Sequence, residues 1–170
     1  MTLAALLVTS TLLAQLGEVR FGVVGSYGTG DAYRAGAGVV LGVAAGRLAY
    51  LGLRWTYYHG VTRGGVTNRA EVFATDLGIL VPTGPVDIVP GLTLGAVRFA
   101  QRAPGVAEHS TEFLAAPGLS VEVRVAPVTL IPEVQYHLAG DPDLPTSVEH
   151  RGLVASLRVV IPLEIGRIRR

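Results

Sequence analysis

The sequence predicts an all-β protein, an eight-stranded antiparallel up-and-down transmembrane β-barrel whose apolar face meets lipid. Three observations carry that prediction. Segments of about ten residues alternate apolar with polar or small side chains. Tight connections alternate with loose ones along the whole chain. Only 16% of the 170 residues are charged and 49% are apolar, against roughly 25% charged in an ordinary soluble domain.

The length suits one domain. Residues 1–14 form an apolar run, too short for a spanning helix, which needs about 20 residues. Such a run is expected to act as an export signal peptide cut after Ala14, leaving residues 15–170 as the barrel domain. The sequence has no cysteine, so thiol and disulfide chemistry are excluded. A formal charge of +1, with every basic residue an arginine, offers no patch for nucleic acid.

The strands follow in order. In the first, Val19, Phe21, Val23 and Tyr27 oppose Glu18, Arg20, Gly22 and Ser26. The second sets Tyr33, Ala35, Ala37, Val39, Leu41 and Val43 against Arg34, Gly36, Gly38 and Gly42. The third sets Leu51, Leu53, Trp55 and Tyr57 against Tyr50, Gly52, Arg54, Thr56 and Tyr58. In the fourth, Phe73, Leu77, Ile79 and Val81 oppose Ala74, Asp76 and Gly78. Leu92, Leu94 and Ala96 of the fifth oppose Asp87, Gly91, Thr93 and Gly95. Phe113, Ala115, Leu119, Val121 and Val123 of the sixth oppose Glu112, Gly118, Ser120, Glu122 and Arg124. The seventh sets Val128, Leu130, Val134, Tyr136 and Leu138 against Thr129, Glu133, Gln135 and His137. The eighth sets Leu153, Ala155, Leu157, Val159 and Ile161 against Gly152, Ser156 and Arg158. Tight turns are expected at 45–46, 82–85 and 126–127, and loose loops at 28–32, 59–69, 101–110 and 139–150. One end of the barrel is thus trimmed and the other elaborated.

A lipocalin-like soluble barrel would also alternate, with its apolar face inside. The polar face argues otherwise. It is rich in glycine, poor in charge and nearly balanced in sign, which suits a narrow lumen where charges pair. Arg20, Arg54, Asp76, Glu122, Arg124, Glu133 and Arg158 are expected to form an interior charge cluster. The aromatics of the apolar face, Tyr27, Tyr33, Trp55, Tyr57, Phe73, Phe113 and Tyr136, sit toward the long-loop end and form a candidate interfacial girdle. In lipid no strand edge can stay unpaired, so the first and last strands must meet.

On this strand number, loop alternation and girdle, residues 18–165 resemble the small eight-stranded outer-membrane barrels, the class of the OmpA transmembrane domain and OmpX. The resemblance implies a filled, monomeric barrel in the bacterial outer membrane, delivered by the outer-membrane assembly machinery. It implies outer-membrane lipid as neighbour and no cofactor. The chain departs from that class in ending on Arg169-Arg170 instead of an aromatic residue, and in carrying Pro90, Pro117, Pro132 and Pro162 within strands.

For function, the interior charges read as a permanent salt-bridged plug in a protein of structural or surface-interaction role, with no external partner indicated. One alternative is a porin-like channel for a small or apolar solute, since Val24, Val40, Leu48, Val72, Val89, Leu114 and Ile131 also point inward. Another is a lipid A-modifying barrel, an acyltransferase or deacylase, using His109-Ser110 with Glu108 or Glu112, or His137. His59, His109 and His150 would have to converge to hold a metal, and Asp141, Asp143 and Glu149 lack calcium-loop spacing. No metal is expected.

Overall fold

Two-residue alternation is what a pleated strand converts into two faces, and every long strand among the described residues uses it. The computed structural model describes residues 16–45 and 48–164. Eight long strands make the wall: β1 (Leu16–Gly28), β2 (Ala35–Ala45), β3 (Ala49–Tyr58), β4 (Val66–Ile79), β5 (Asp87–Ala103), β6 (Val106–Val125), β7 (Val128–Ala139) and β8 (Arg151–Glu164). Two-residue pieces, Thr62–Arg63 and Val81–Pro82, add short pairings to β4 and β5. Each long strand pairs antiparallel with its sequence neighbours, and β1 also pairs with β8 from Glu18↔Glu164 to Gly28↔Val154. That pairing closes the barrel and leaves no edge along the wall.

The strand prolines fit the ladders because each sits where the ladder asks for no amide hydrogen. A proline has no amide hydrogen to give, so it must sit where a neighbour asks for none. The β4–β5 ladder stops at Gly78↔Gly91, one residue short of Pro90. The β7–β8 ladder stops at Val160↔Thr129, before Pro162. Pro117 and Pro132 fall at the two places where the β6–β7 ladder is interrupted, between Ala115 and Gly118 and between Glu133 and Leu130. The register on either side of both gaps is the same, so no bulge is needed.

Residues of the apolar face are exposed on the outside, among them Phe21, Leu41, Leu53, Phe73, Phe113 and Leu157. The alternate residues are buried in the lumen. Leu48 is an exception to its expected inward placement: it lies in the β2–β3 turn, 69% exposed. The expected loop over 101–110 is also absent. Its place is taken by a two-residue turn at Pro104-Gly105, with β5 and β6 running on as a long hairpin. Gly105 at φ 78° supplies the positive φ that a type II turn requires at its third position, and Pro104 suits the position before it. The expected export segment 1–14 and the tail after Glu164 lie outside the described residues.

Candidate functional site in the barrel lumen

The lumen is filled in two layers, and the lower one is ionic. Arg54 of β3 points inward and reaches three side chains on two other strands, β4 and β7. Its Nε and Nη2 donate to Asp76 Oδ2 at 3.1 and 2.9 Å, Nη2 also donates to Glu133 Oε2 at 2.7 Å, and Nη1 donates to Gln135 Oε1 at 3.1 Å. Arg158 of β8 grips the same two carboxylates, with Nη1 3.4 Å from Asp76 Oδ2 and Nη2 3.1 Å from Glu133 Oε1. Two arginines therefore face two carboxylates. Hydroxyls complete the shell: Thr93 donates to Asp76 Oδ1 at 2.6 Å, Ser156 to Glu133 Oε2 at 2.9 Å, and Gln135 Nε2 donates to Thr93 Oγ1 at 2.6 Å. Charge buried this deeply is tolerated only when it is paired and hydrogen-bonded. The planar guanidinium fork suits such multiple donation better than a lysine would.

Nearer the short-turn end, Arg20 donates to Glu18 Oε1 at 2.6 Å and to Glu122 Oε1. The ring of Tyr50 separates the two ionic groups, with Arg20 and Arg158 lying 5.8 and 5.7 Å from its centroid. Glycines make room for it. A Cβ on Gly42 or Gly52 would come within 2.5 Å of the Tyr50 hydroxyl, so both strands present bare backbone to the ring.

The upper layer is apolar. Tyr33, Tyr58, Val72, Val97, Phe99, Leu114, Val148 and Val154 form one buried cluster, with Leu144 packed against it. Tyr33 stands at its centre, edge-on to Tyr58, Phe99 and His137 at centroid separations of 5.4, 5.9 and 4.8 Å. Two loops supply part of this layer: Ala32 and Tyr33 come from 29–34, Leu144 and Val148 from 140–150. The second loop is pinned to the wall. Gln101 Nε2 donates to the Thr146 carbonyl and hydroxyl at 2.8 and 2.7 Å, and the Thr146 amide donates back to Gln101 Oε1 at 3.2 Å.

Of the expected charge cluster, Arg20, Arg54, Asp76, Glu122, Glu133 and Arg158 are buried in the lumen. Arg124 is not. It has inward parity but lies at the rim, just before the turn at 126–127, where the lumen opens to water; its side chain is 61% exposed, 3.6 Å from Asp87. Of the expected girdle, Tyr27, Trp55, Phe73, Phe113 and Tyr136 are exposed on the outer face and Tyr57 is partly so. Tyr33 is again a correction. It precedes β2 in a turn closed by its amide donating to the Gly30 carbonyl at 3.0 Å. Strand parity therefore does not govern it, and the turn swings its ring into the barrel mouth. Phe99 and the inward-folded residues of 140–150 were not singled out from the sequence, although the parity of β5 places Phe99 with Val97 on the inner face.

His137 is buried against Tyr33, while His59 and His109 are exposed and His150 lies 2.8 Å from Asp141. The three loop histidines do not converge, and no group of three metal-binding side chains occurs among the described residues. Ser110 donates to Glu112 at 2.5 Å, on the opposite strand face from His109.

No family model matches the chain, and no curated relative matches it in sequence. Solved structures do resemble it. The N-terminal β-barrel domain of Pseudomonas aeruginosa OprF aligns with a TM-score of 0.62 at 13% identity, over 87% of this chain and 98% of that one. Neisserial surface protein A gives 0.61 at 14% identity, over 86% and 96%. A major outer membrane protein of Thermus thermophilus gives 0.57 at 13%, over 85% and 99%. These likenesses show the fold, that of the eight-stranded outer-membrane barrels.

Proposed function

We propose that the chain is a monomeric outer-membrane barrel with a permanently closed lumen, whose role is structural or surface-interacting. The observation that carries this reading is the double filling of the interior, an ionic layer below and an apolar, loop-tied layer above. A solute crossing the barrel would have to break both. The apolar outer face supports a place in lipid, and the fold's resemblance to a major outer membrane protein supports the outer membrane as the location. Export by residues 1–14 and delivery by the assembly machinery belong to the same proposal.

Against catalysis weighs the placement of the candidate residues. His137 is walled in by Tyr33 and Tyr58, and His109 lies on the other strand face from the Ser110 hydroxyl. Planar-bilayer recording tests the proposal. The refolded barrel is expected to show no steady conductance, and stable unitary channels would refute it in favour of the porin-like reading.

A further inference from the structure

The outer wall carries a feature that a closed lumen does not require. Across β1 to β5 the surface is indented by a groove of about 630 Å³, lined by Phe21, Leu41, Leu53, Trp55, Phe73 and Leu94. Ligand sites span roughly 300–1,000 Å³. Part of its floor is bare backbone. Gly22 and Gly95 contribute it, since neither carries a side chain to fill the groove.

Just above the groove the same face turns cationic. Phe73 pairs with Ala96, and the next outward pair toward the long-loop end is Glu71 with Arg98, a step of about 7 Å along the strands. Beyond it Arg69 stands opposite Ala100, and Arg102 opposite Thr67. Arg98 and Arg102 are exposed, and Arg69 is half-buried with its Nε lacking any hydrogen-bond partner. Among the described residues none of the three has an ion-pair partner. The Glu71 carboxylate opposite Arg98 accepts from Trp55 Nε1 at 2.8 Å and keeps its charge, so three guanidinium groups stand against one carboxylate and the face stays net cationic. Three uncommitted guanidinium groups therefore crown an apolar groove.

We infer that this surface holds one phosphate-bearing anionic lipid of the surrounding leaflet. Its acyl chain lies in the groove against Trp55 and Phe73, and its phosphate is received by Arg98, Arg69 and Arg102. Guanidinium forks match phosphate oxygens, and basic residues at a membrane surface favour anionic lipid. A second copy seated symmetrically on the same patch would set arginine against arginine, which favours lipid as the occupant. The inference rests on the membrane reading above.

The single tryptophan of the sequence lies in the groove and reports on it directly. The barrel is refolded into phosphatidylcholine bilayers doped with either brominated phosphatidylglycerol or brominated phosphatidylcholine, and quenching of Trp55 is measured. The anionic lipid is expected to quench at about fivefold lower mole fraction, which corresponds to ~1 kcal/mol. Arg98→Gln with Arg102→Gln is expected to erase that difference, and Thr75→Phe, which fills the groove, to weaken quenching by both lipids. Equal quenching in the unaltered protein, or a preference that survives in the double variant, would overturn the lipid site while leaving the barrel in the membrane. Cross-linked dimers with Trp55 shielded from both lipids would assign the groove to a second copy. A chain that enters no bilayer and shows no heat-modifiable migration on gels would sink the membrane reading itself.

Discussion

The two layers of the lumen solve the same problem, filling a narrow barrel, with opposite chemistry. The ionic layer is built only from strand residues, and each charge in it depends on a particular partner: Arg54 alone engages Asp76, Glu133 and Gln135. The upper layer draws on two loops as well as the wall, and its members touch through non-directional contact. Losing one member of the ionic layer strands its partners as unpaired buried charge. Losing one member of the apolar layer leaves a void. The first penalty is set by electrostatics and is relieved only by water entry or by protonation of the stranded carboxylate; the second depends on how far the surroundings collapse.

The largest expected effect follows from that contrast. Arg54→Leu leaves Asp76 and Glu133 with Arg158 as their sole cation in this group, and breaking a buried pair in this way costs about 3–5 kcal/mol. Urea unfolding of the bilayer-inserted barrel, followed through neighbouring Trp55, measures it. A loss under about 1 kcal/mol would mean that water enters and solvates the ionic layer. Phe99→Leu in the upper layer keeps most of the volume and is expected to cost about 1–1.5 kcal/mol in the same assay. Equal losses in the two variants would break the comparison.

The difference between the layers also explains what was legible in the sequence. Two-residue alternation assigned the outer and inner faces, because each inward charge of the middle barrel lies within a continuous strand where parity holds. Arg20, Arg54, Asp76, Glu122, Glu133 and Arg158 could thus be placed inside from spacing alone. Their pairing could not, because it depends on which strands face one another across the lumen. The upper layer was poorly legible for another reason. Tyr33, Leu144 and Val148 lie in loops, where no period relates one side chain to the next. Extending the parity of β2 backward misplaces Tyr33, because the intervening turn cancels it. The long β5–β6 hairpin is signalled in the sequence only by the turn chemistry of Pro104-Gly105, since the polar residues around it also suit a loose loop.

A smaller effect is expected where the loop is pinned to the wall. Gln101→Ala removes the side chain that holds Thr146, at a cost of ~1 kcal/mol. The loss should be local. Hydrogen exchange and proteolysis in 140–150 are expected to rise while global unfolding barely moves, and the lumen stays non-conducting because the ionic layer below is intact. A steady current in this variant would show that the loop-tied layer is the seal and the ionic layer is permeable.

Arg124 supplies the smallest effect and the cleanest control. By residue type and parity it belongs with Arg158, two strands away on the same inner face. The two differ in depth alone: Arg158 is 4% exposed with both carboxylates of the ionic layer in reach, while the Arg124 side chain is 61% exposed beside Asp87. An exposed ion pair of that kind contributes about 0–1 kcal/mol, and less in high salt. Arg124→Leu is therefore expected to change unfolding stability by no more than about 0.5 kcal/mol, whereas Arg158→Leu should approach the loss seen for Arg54→Leu. If Arg124→Leu proved as damaging as Arg158→Leu, the low dielectric of the lumen would have to extend to the short-turn rim, and parity alone would have placed all the charges correctly.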